Sequence, residues 1–101
     1  MTNVPSPHII ITYCCQCNWL LRSAWMAQEI LSTFSEETGA VTLVPATGGT
    51  FTITCDGKPI WDRKQDGGFP EAKVLKQRLR DLLWPDKDLG HSDRATTSTG
   101  K

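Results

Sequence analysis

The sequence predicts an α/β fold, a two-layer sandwich of order β-α-β-β-β-α in which a four-stranded mixed sheet carries two main helices. Three observations predict it. Residues 8–13 (HIIITY) are a continuous β-branched and aromatic run, and residues 18–37 carry apolar side chains at spacings of three and four. Residues 50–62 read as two strands around an Asp-Gly dipeptide. A helix between the first two strands makes them parallel, and the hairpin adds an antiparallel pair. The expected folded domain is residues 8–84. Residues 1–7, with Pro5 and Pro7, and the Ser/Thr-rich residues 85–101 are expected to be flexible ends.

Each element has its own signal. The run at 8–13 lacks alternation, which suits a strand covered on both faces. In 18–37 the expected buried face is Leu20, Ala24, Ala27, Leu31 and Phe34, flanked by Leu21, Trp25 and Ile30, with Gly39 as the helix stop. Residues 40–44 (AVTLV) form a second strand ended by Pro45, and Gly48-Gly49 is a turn. Residues 50–55 alternate strictly, with Phe51, Ile53 and Cys55 on one face. Asp56-Gly57 favours a type I′ turn, because both central residues need positive φ. Residues 58–62 then return as an edge strand, since Pro59 cannot donate to a ladder. The charged stretch that follows, from Asp62 to Gln65, reads as a solvated loop. Pro70 suits the first turn of a last helix bearing Val74, Leu75, Leu79, Leu82 and Leu83 and closed by Trp84-Pro85.

Composition narrows the function. The 101 residues are 39% apolar and 22% charged, the balance of one compact domain. Eleven Lys and Arg against eleven Asp and Glu leave no net charge, so no global field gathers phosphate backbones or anionic lipid, and nucleic acid is not expected as a partner. The longest apolar run, Ile9 to Ile11, is too short for a membrane span, and the first residues lack a basic start and apolar stretch. The expectation is a cytoplasmic protein with no membrane partner.

A reducing compartment disfavours a disulfide framework and brings thiol or metal chemistry forward for the four cysteines. Cys14, Cys15 and Cys17 crowd together while Cys55 stands alone. Cys14 and Cys17 form a C-x-x-C unit where the first strand gives way to the long helix. That spacing lets two sulfurs bridge, and unsatisfied N–H groups at a helix start stabilise a thiolate, lowering thiol pKa values to about 3.5–7.5 from ~8.5. Such a thiolate attacks a disulfide, peroxide or sulfenic acid, and its partner resolves the intermediate. Cys14 and Cys17 are therefore the candidate catalytic residues. Cys15, Gln16, Trp19, Phe69 and Pro70 are the candidate substrate contacts.

Blander readings stand beside these. C-x-x-C also supplies half a zinc site, but only Cys55 is at hand as a further ligand, with His8 and His91 in or near the ends, so no metal is assigned. Cys15 is most simply a spacer and Cys55 a core residue. Trp25, Trp61 and Trp84 read as core; Trp19, two residues after Cys17, is placed near the mouth of the site. Carboxylate pairs for acid–base work, a phosphate loop and a serine triad are absent from the sequence.

The segments Tyr13-Cys14-Cys15-Gln16-Cys17, Trp19-Leu20-Leu21-Arg22 and Trp25-Met26-Ala27 resemble the Rdx family of selenoprotein W-like proteins. Further matches follow in order: Gly48-Gly49-Thr50-Phe51, Asp56-Gly57, Ile60-Trp61-Asp62-Arg63, Gly67-Gly68-Phe69-Pro70-Glu71-Ala72-Lys73 and Leu75-Lys76-Gln77. The resemblance spans residues 8–83. It implies a thioredoxin-like fold and a thiol oxidoreductase linked to glutathione and peroxide handling. Glutathione would be the co-substrate, with no bound cofactor, and protein thiols or disulfides the other partners. Family members with selenocysteine carry it at the position of Cys17, which marks Cys17 as the attacking group. Thioredoxin-like geometry instead makes Cys14, as the more exposed sulfur, the attacker, and the order stays open. One departure is that Gly48-Gly49-Thr50 stands where thioredoxins place a cis-proline, so pairing of that backbone with a substrate cysteine is not implied.

The sequence therefore predicts a thiol-disulfide oxidoreductase. The alternatives are an interaction module, with Trp19 and Phe69-Pro70 as its surface and the cysteines as redox sensors, and a zinc site on Cys14, Cys17 and Cys55.

Overall fold

The computed structural model describes residues 5–86; residues 1–4 and 87–101, and with them most of the expected flexible ends and His91, lie outside the described residues. The chain divides into two compact units, one ending at Phe69 and the other starting at Pro70. The first unit contains β1 (His8–Cys14), a 3-10 turn (Cys15–Cys17), α1 (Leu20–Thr33), β2 (Ala40–Ala46), β3 (Phe51–Cys55), β4 (Lys58–Asp62) and the short α2 (Arg63–Asp66). The second contains α3 (Ala72–Leu83). Among the described residues, no helix is long and apolar enough to cross a membrane.

The four strands form one mixed sheet in the order β2-β1-β3-β4. β1 pairs parallel with β2, from His8 opposite Ala40 to Cys14 opposite Ala46, and antiparallel with β3, from Ile9 opposite Cys55 to Tyr13 opposite Phe51. Ile9, Ile11 and Tyr13 are buried while Ile10 and Thr12 are half-buried, so β1 alternates after all. Its unbroken β-branched run reflects a central place in the ladder, with a strand on each side, more than two sealed faces. Pro45 lies within β2 rather than ending it, which an edge strand tolerates.

The hairpin forms as its turn chemistry requires, with φ 50° at Asp56 and 85° at Gly57. β4 is an edge strand, and its register slips by one residue between Ile53 and Thr54, which face Trp61 and Pro59 respectively. The extra residue, Ile60, forms a bulge at the proline that has no N–H to offer, and Ile60 and Trp61 both become buried.

Helix α1 packs on β1 and β2 through Ser23, Met26, Ala27 and Ile30, continued by Phe34 just past its end. This face is rotated from the expected one: Leu20, Leu21, Trp25 and Leu31 are exposed, Leu21 at 82%. The helix is apolar on two sides, and small Ser23 and Ala27 allow its backbone to approach the sheet. It ends with Phe34, whose carbonyl accepts the N–H groups of Glu37 and Thr38. Gly39 is therefore not the helix cap; its N–H bonds the Pro7 carbonyl at 3.0 Å, and a Cβ there would collide with the Pro5 carbonyl.

α3 begins at Ala72 because Glu71 is extended (φ −72°, ψ 151°), leaving Pro70 outside its first turn. Leu75 and Leu79, one turn apart, are its buried residues, and the Trp84 N–H closes on the Arg80 carbonyl at 2.8 Å.

Ser6 and Pro7, assigned by composition to a flexible end, are tied to the sheet. Besides the Pro7 carbonyl, Ser6 Oγ donates to Asp56 Oδ2 at 2.8 Å and the His8 N–H to Asp56 Oδ1 at 2.9 Å. The His8 N–H first, then the Ser6 hydroxyl, hold the Asp56 carboxyl below the ordinary carboxylate value. A depressed folded pKa contributes stability that is complete above the unfolded value of about 3.9 and is lost as pH falls through the folded value. Asn at this position keeps the positive φ and one acceptor but not the charge. Urea midpoints of Asp56→Asn should thus lie below those of the parent near neutral pH and converge with them in acid; a constant gap at every pH would show that the charge contributes nothing.

Candidate functional site

The sheet ends in chemistry at Cys14. β1 alternates up to Tyr13, but Tyr13 and Cys14 are both buried, because the chain turns out of the strand into the 3-10 turn. The turn presents Cys15, Gln16 and Cys17 to solvent and closes at Asn18, in the left-handed conformation at φ 60°. Asn accepts that conformation more readily than a branched or bulky residue. The C-x-x-C unit is therefore in its own turn, ahead of α1, and not in the helix's first turn as the spacing predicted.

The sulfurs of Cys17 and Cys14 are 2.7 Å apart, outside the ~2.05 Å of a disulfide, and both thiols are free. Exposure is the reverse of the thioredoxin-based expectation: Cys14 is 1% exposed and Cys17 is the exposed sulfur. The cause is the strand, which carries Cys14 into the core before the chain turns.

The Cys17 thiol donates to the Cys14 sulfur, and this bond, aided by the amides of Gly49, Gln16 and Cys17, holds Cys14 below the ordinary thiol value despite its burial. The same bond pushes Cys17 up, because ionising Cys17 would break it; burial and the charge on Cys14 act in the same direction, while the Gly49 amide and the Arg63 guanidinium oppose them. The two groups titrate as one pair that shares a proton. Ionisation is therefore favoured at the inner sulfur, while the outer one keeps its proton more tightly and has the access.

Aromatic and cationic side chains border the turn. The half-buried Trp19 meets Phe69 edge-on with ring centroids 4.8 Å apart, and Phe69 rests on Phe51 at 4.8 Å. Arg22 lies over the Phe69 ring at 4.4 Å and Arg63 over Trp19 at 5.2 Å. Of the expected contact residues, Cys15 and Gln16 are exposed on the turn, and Trp19 and Phe69 are half-buried against each other beside it. Pro70 is buried in the second unit and presents no such surface.

Arg63 was hidden in the charged stretch read as a loop, which is instead α2, with Asp62 capping the Lys64 N–H and Gly67 closing it at φ 82°. Asp before and Gly after that stretch were the available signal. Cys55 lies opposite Ile9, five residues along β1 from Cys14 and roughly 16 Å away at strand rise, so it cannot join Cys14 and Cys17 around one zinc. Burial, first, keeps its thiol protonated, and it is a core residue. Among the described residues no group of three or more His, Cys, Asp or Glu is placed to hold a metal.

Comparison with known proteins agrees with this architecture. A crystal structure of a Bordetella parapertussis protein is 67% identical, with a TM-score of 0.74 over 75% of this chain and 96% of its own. That of a selenoprotein W-related protein from Vibrio cholerae is 68% identical, with a TM-score of 0.73 over 74% of this chain and 94% of its own. Mouse migration and invasion enhancer 1 is 29% identical over 75 residues, 72% of this chain, which spans 62% of the length of that curated relative. The four-stranded mixed sheet with two main helices is the thioredoxin-like fold of the selenoprotein W-related neighbours. The model of the Rdx family matches residues 8–81, from the first residue of β1 into α3, and the chain belongs to that family.

Proposed function

We propose that the protein is a thiol-disulfide oxidoreductase in which Cys17 attacks and Cys14 resolves. The observation that carries this reading is the sulfur pair itself: two free thiols 2.7 Å apart, one exposed and one buried among N–H donors. In the singly ionised pair, Cys17 passes its proton to Cys14 as it attacks one sulfur of a substrate disulfide. The Cys17–substrate S–S bond forms, the substrate S–S bond breaks, and one substrate thiolate leaves. Cys14 then yields the proton to that thiolate and attacks Cys17 Sγ, which releases the second substrate thiolate. Two electrons have moved from the dithiol to the substrate, leaving a Cys14–Cys17 disulfide. Two thiols of glutathione, the co-substrate we propose, restore the dithiol and become its disulfide. Protein disulfides are the other substrate class, and a reducing cytoplasm is the compartment that suits four free thiols.

Equilibration in glutathione buffers of graded potential, followed by alkylation and mapping by mass spectrometry, tests the reading. A reversible Cys14–Cys17 disulfide with Cys55 free throughout is the expected result. The absence of that bond at every potential would remove the oxidoreductase.

A further inference from the structure

Arg63 has no part in the exchange just described, yet the fold fixes it unusually firmly. Its carbonyl accepts the N–H groups of both Gly67 and Gly68 at 2.9 Å. Before it, the Asp62 side chain caps the Lys64 N–H and the Asp62 N–H bonds Asp66 Oδ2, each at 2.9 Å. From this anchored backbone the side chain reaches the β2–β3 turn, where Nε–H donates to the Gly49 carbonyl at 3.1 Å. Its guanidinium also lies over the Trp19 ring.

Gly49 has φ 74°, a conformation that L side chains adopt with strain, and a Cβ there would stand 3.4 Å from the Arg63 guanidinium. Its amide lowers both thiols, the effect of a backbone N–H turned toward them.

We propose that Arg63 is a positioning residue for the dithiol: it pins the Gly49 carbonyl so that the Gly49 amide faces Cys14 and Cys17, and it sets a fixed positive charge beside Cys17. The two effects are separable. Lys keeps the charge but lacks the planar fork that reaches both the carbonyl and the ring, and Gln keeps a donor but no charge.

Two readouts follow the two effects. The pH profile of iodoacetamide alkylation at Cys17, resolved by mass spectrometry, reads the charge. The pH dependence of the Gly49 amide resonance, in a nitrogen–proton correlation spectrum, reads the geometry. Arg63→Gln should shift the Cys17 profile to higher pH and slow alkylation at neutral pH by about twofold to fivefold, the range for a partly exposed charge pair. Arg63→Lys should leave the Cys17 profile nearer the parent while the Gly49 resonance no longer follows ionisation of the pair. If Arg63→Gln fails to fold, Arg63→Lys carries the test through the Gly49 resonance. A parent-like Cys17 profile in folded Arg63→Gln, or a Gly49 resonance that still follows ionisation of the pair in Arg63→Lys, overturns the proposal.

The inference rests on the oxidoreductase reading but fails separately from it. A normal Cys14–Cys17 disulfide with unchanged profiles removes the role of Arg63 alone. Loss of the disulfide in redox buffers removes the enzyme reading and leaves the alkylation profile readable.

Discussion

Cys17→Ser should abolish disulfide reduction, with a loss on the order of 10³-fold or more, as removal of a nucleophile gives in covalent catalysis. Cys14→Ser should fail differently. The exposed Cys17 still attacks, but the mixed disulfide has no second sulfur to resolve it, so one equivalent of substrate thiol is released and the reaction stops. Intact mass after an acid quench should show substrate bound to Cys17 in Cys14→Ser and nothing bound at Cys14 in Cys17→Ser. The asymmetry follows from access: Cys14 is 1% exposed and is the sulfur at which ionisation is favoured, while Cys17 faces solvent. A mixed disulfide trapped on Cys14 in the Cys17→Ser variant would reverse the roles and require the strand end to open before each turnover. Ser in place of Cys14 also removes the acceptor thiolate that raises Cys17, so the first attack by Cys17 should persist near neutral pH in that variant.

That assignment could not be made from the sequence, and the reason is geometric. Spacing shows that Cys14 and Cys17 can meet, but which sulfur faces water depends on how β1 ends and on a left-handed Asn18 that sends the chain through a 3-10 turn. Local chemistry was legible. Asp56-Gly57 fixed a hairpin because two adjacent positive φ values select those residues, and the Phe51, Ile53, Cys55 face was read correctly from a period of two. Where two answers were equally periodic, the pattern could not choose. α1 has apolar residues on opposite sides, and burial of Ser23 rather than Leu21 was decided by the close approach of helix to sheet. α2, at four residues, is too short to show a period. The bond from Arg63 to Gly49 joins residues fourteen apart, beyond any local signal.

Phe51→Ala should be the most damaging single change in the core near the site, lowering stability by about 3–5 kcal/mol. A domain of this size has only about 5–15 kcal/mol to lose, so the urea midpoint should fall by a large fraction of its value. Phe51 is fully buried on β3 opposite Tyr13, one residue before Cys14, and its ring supports Phe69 at 4.8 Å. Phe69 in turn meets Trp19 and lies under Arg22, so the cavity left by Ala opens beneath the aromatic border of the dithiol as well as in the core. The two consequences separate in Phe51→Leu, which restores most of the lost volume but not the flat ring. Leu should recover more than half of the stability lost in Ala, while Trp19 and Phe69, no longer backed by an aromatic face, should shift position. A drop of less than about 1 kcal/mol in Phe51→Ala would mean that the ring is not enclosed as described. Full recovery of both stability and the near-ultraviolet signal of the aromatic border in Phe51→Leu would show that volume alone, and not ring packing, carries support from the sheet to the site.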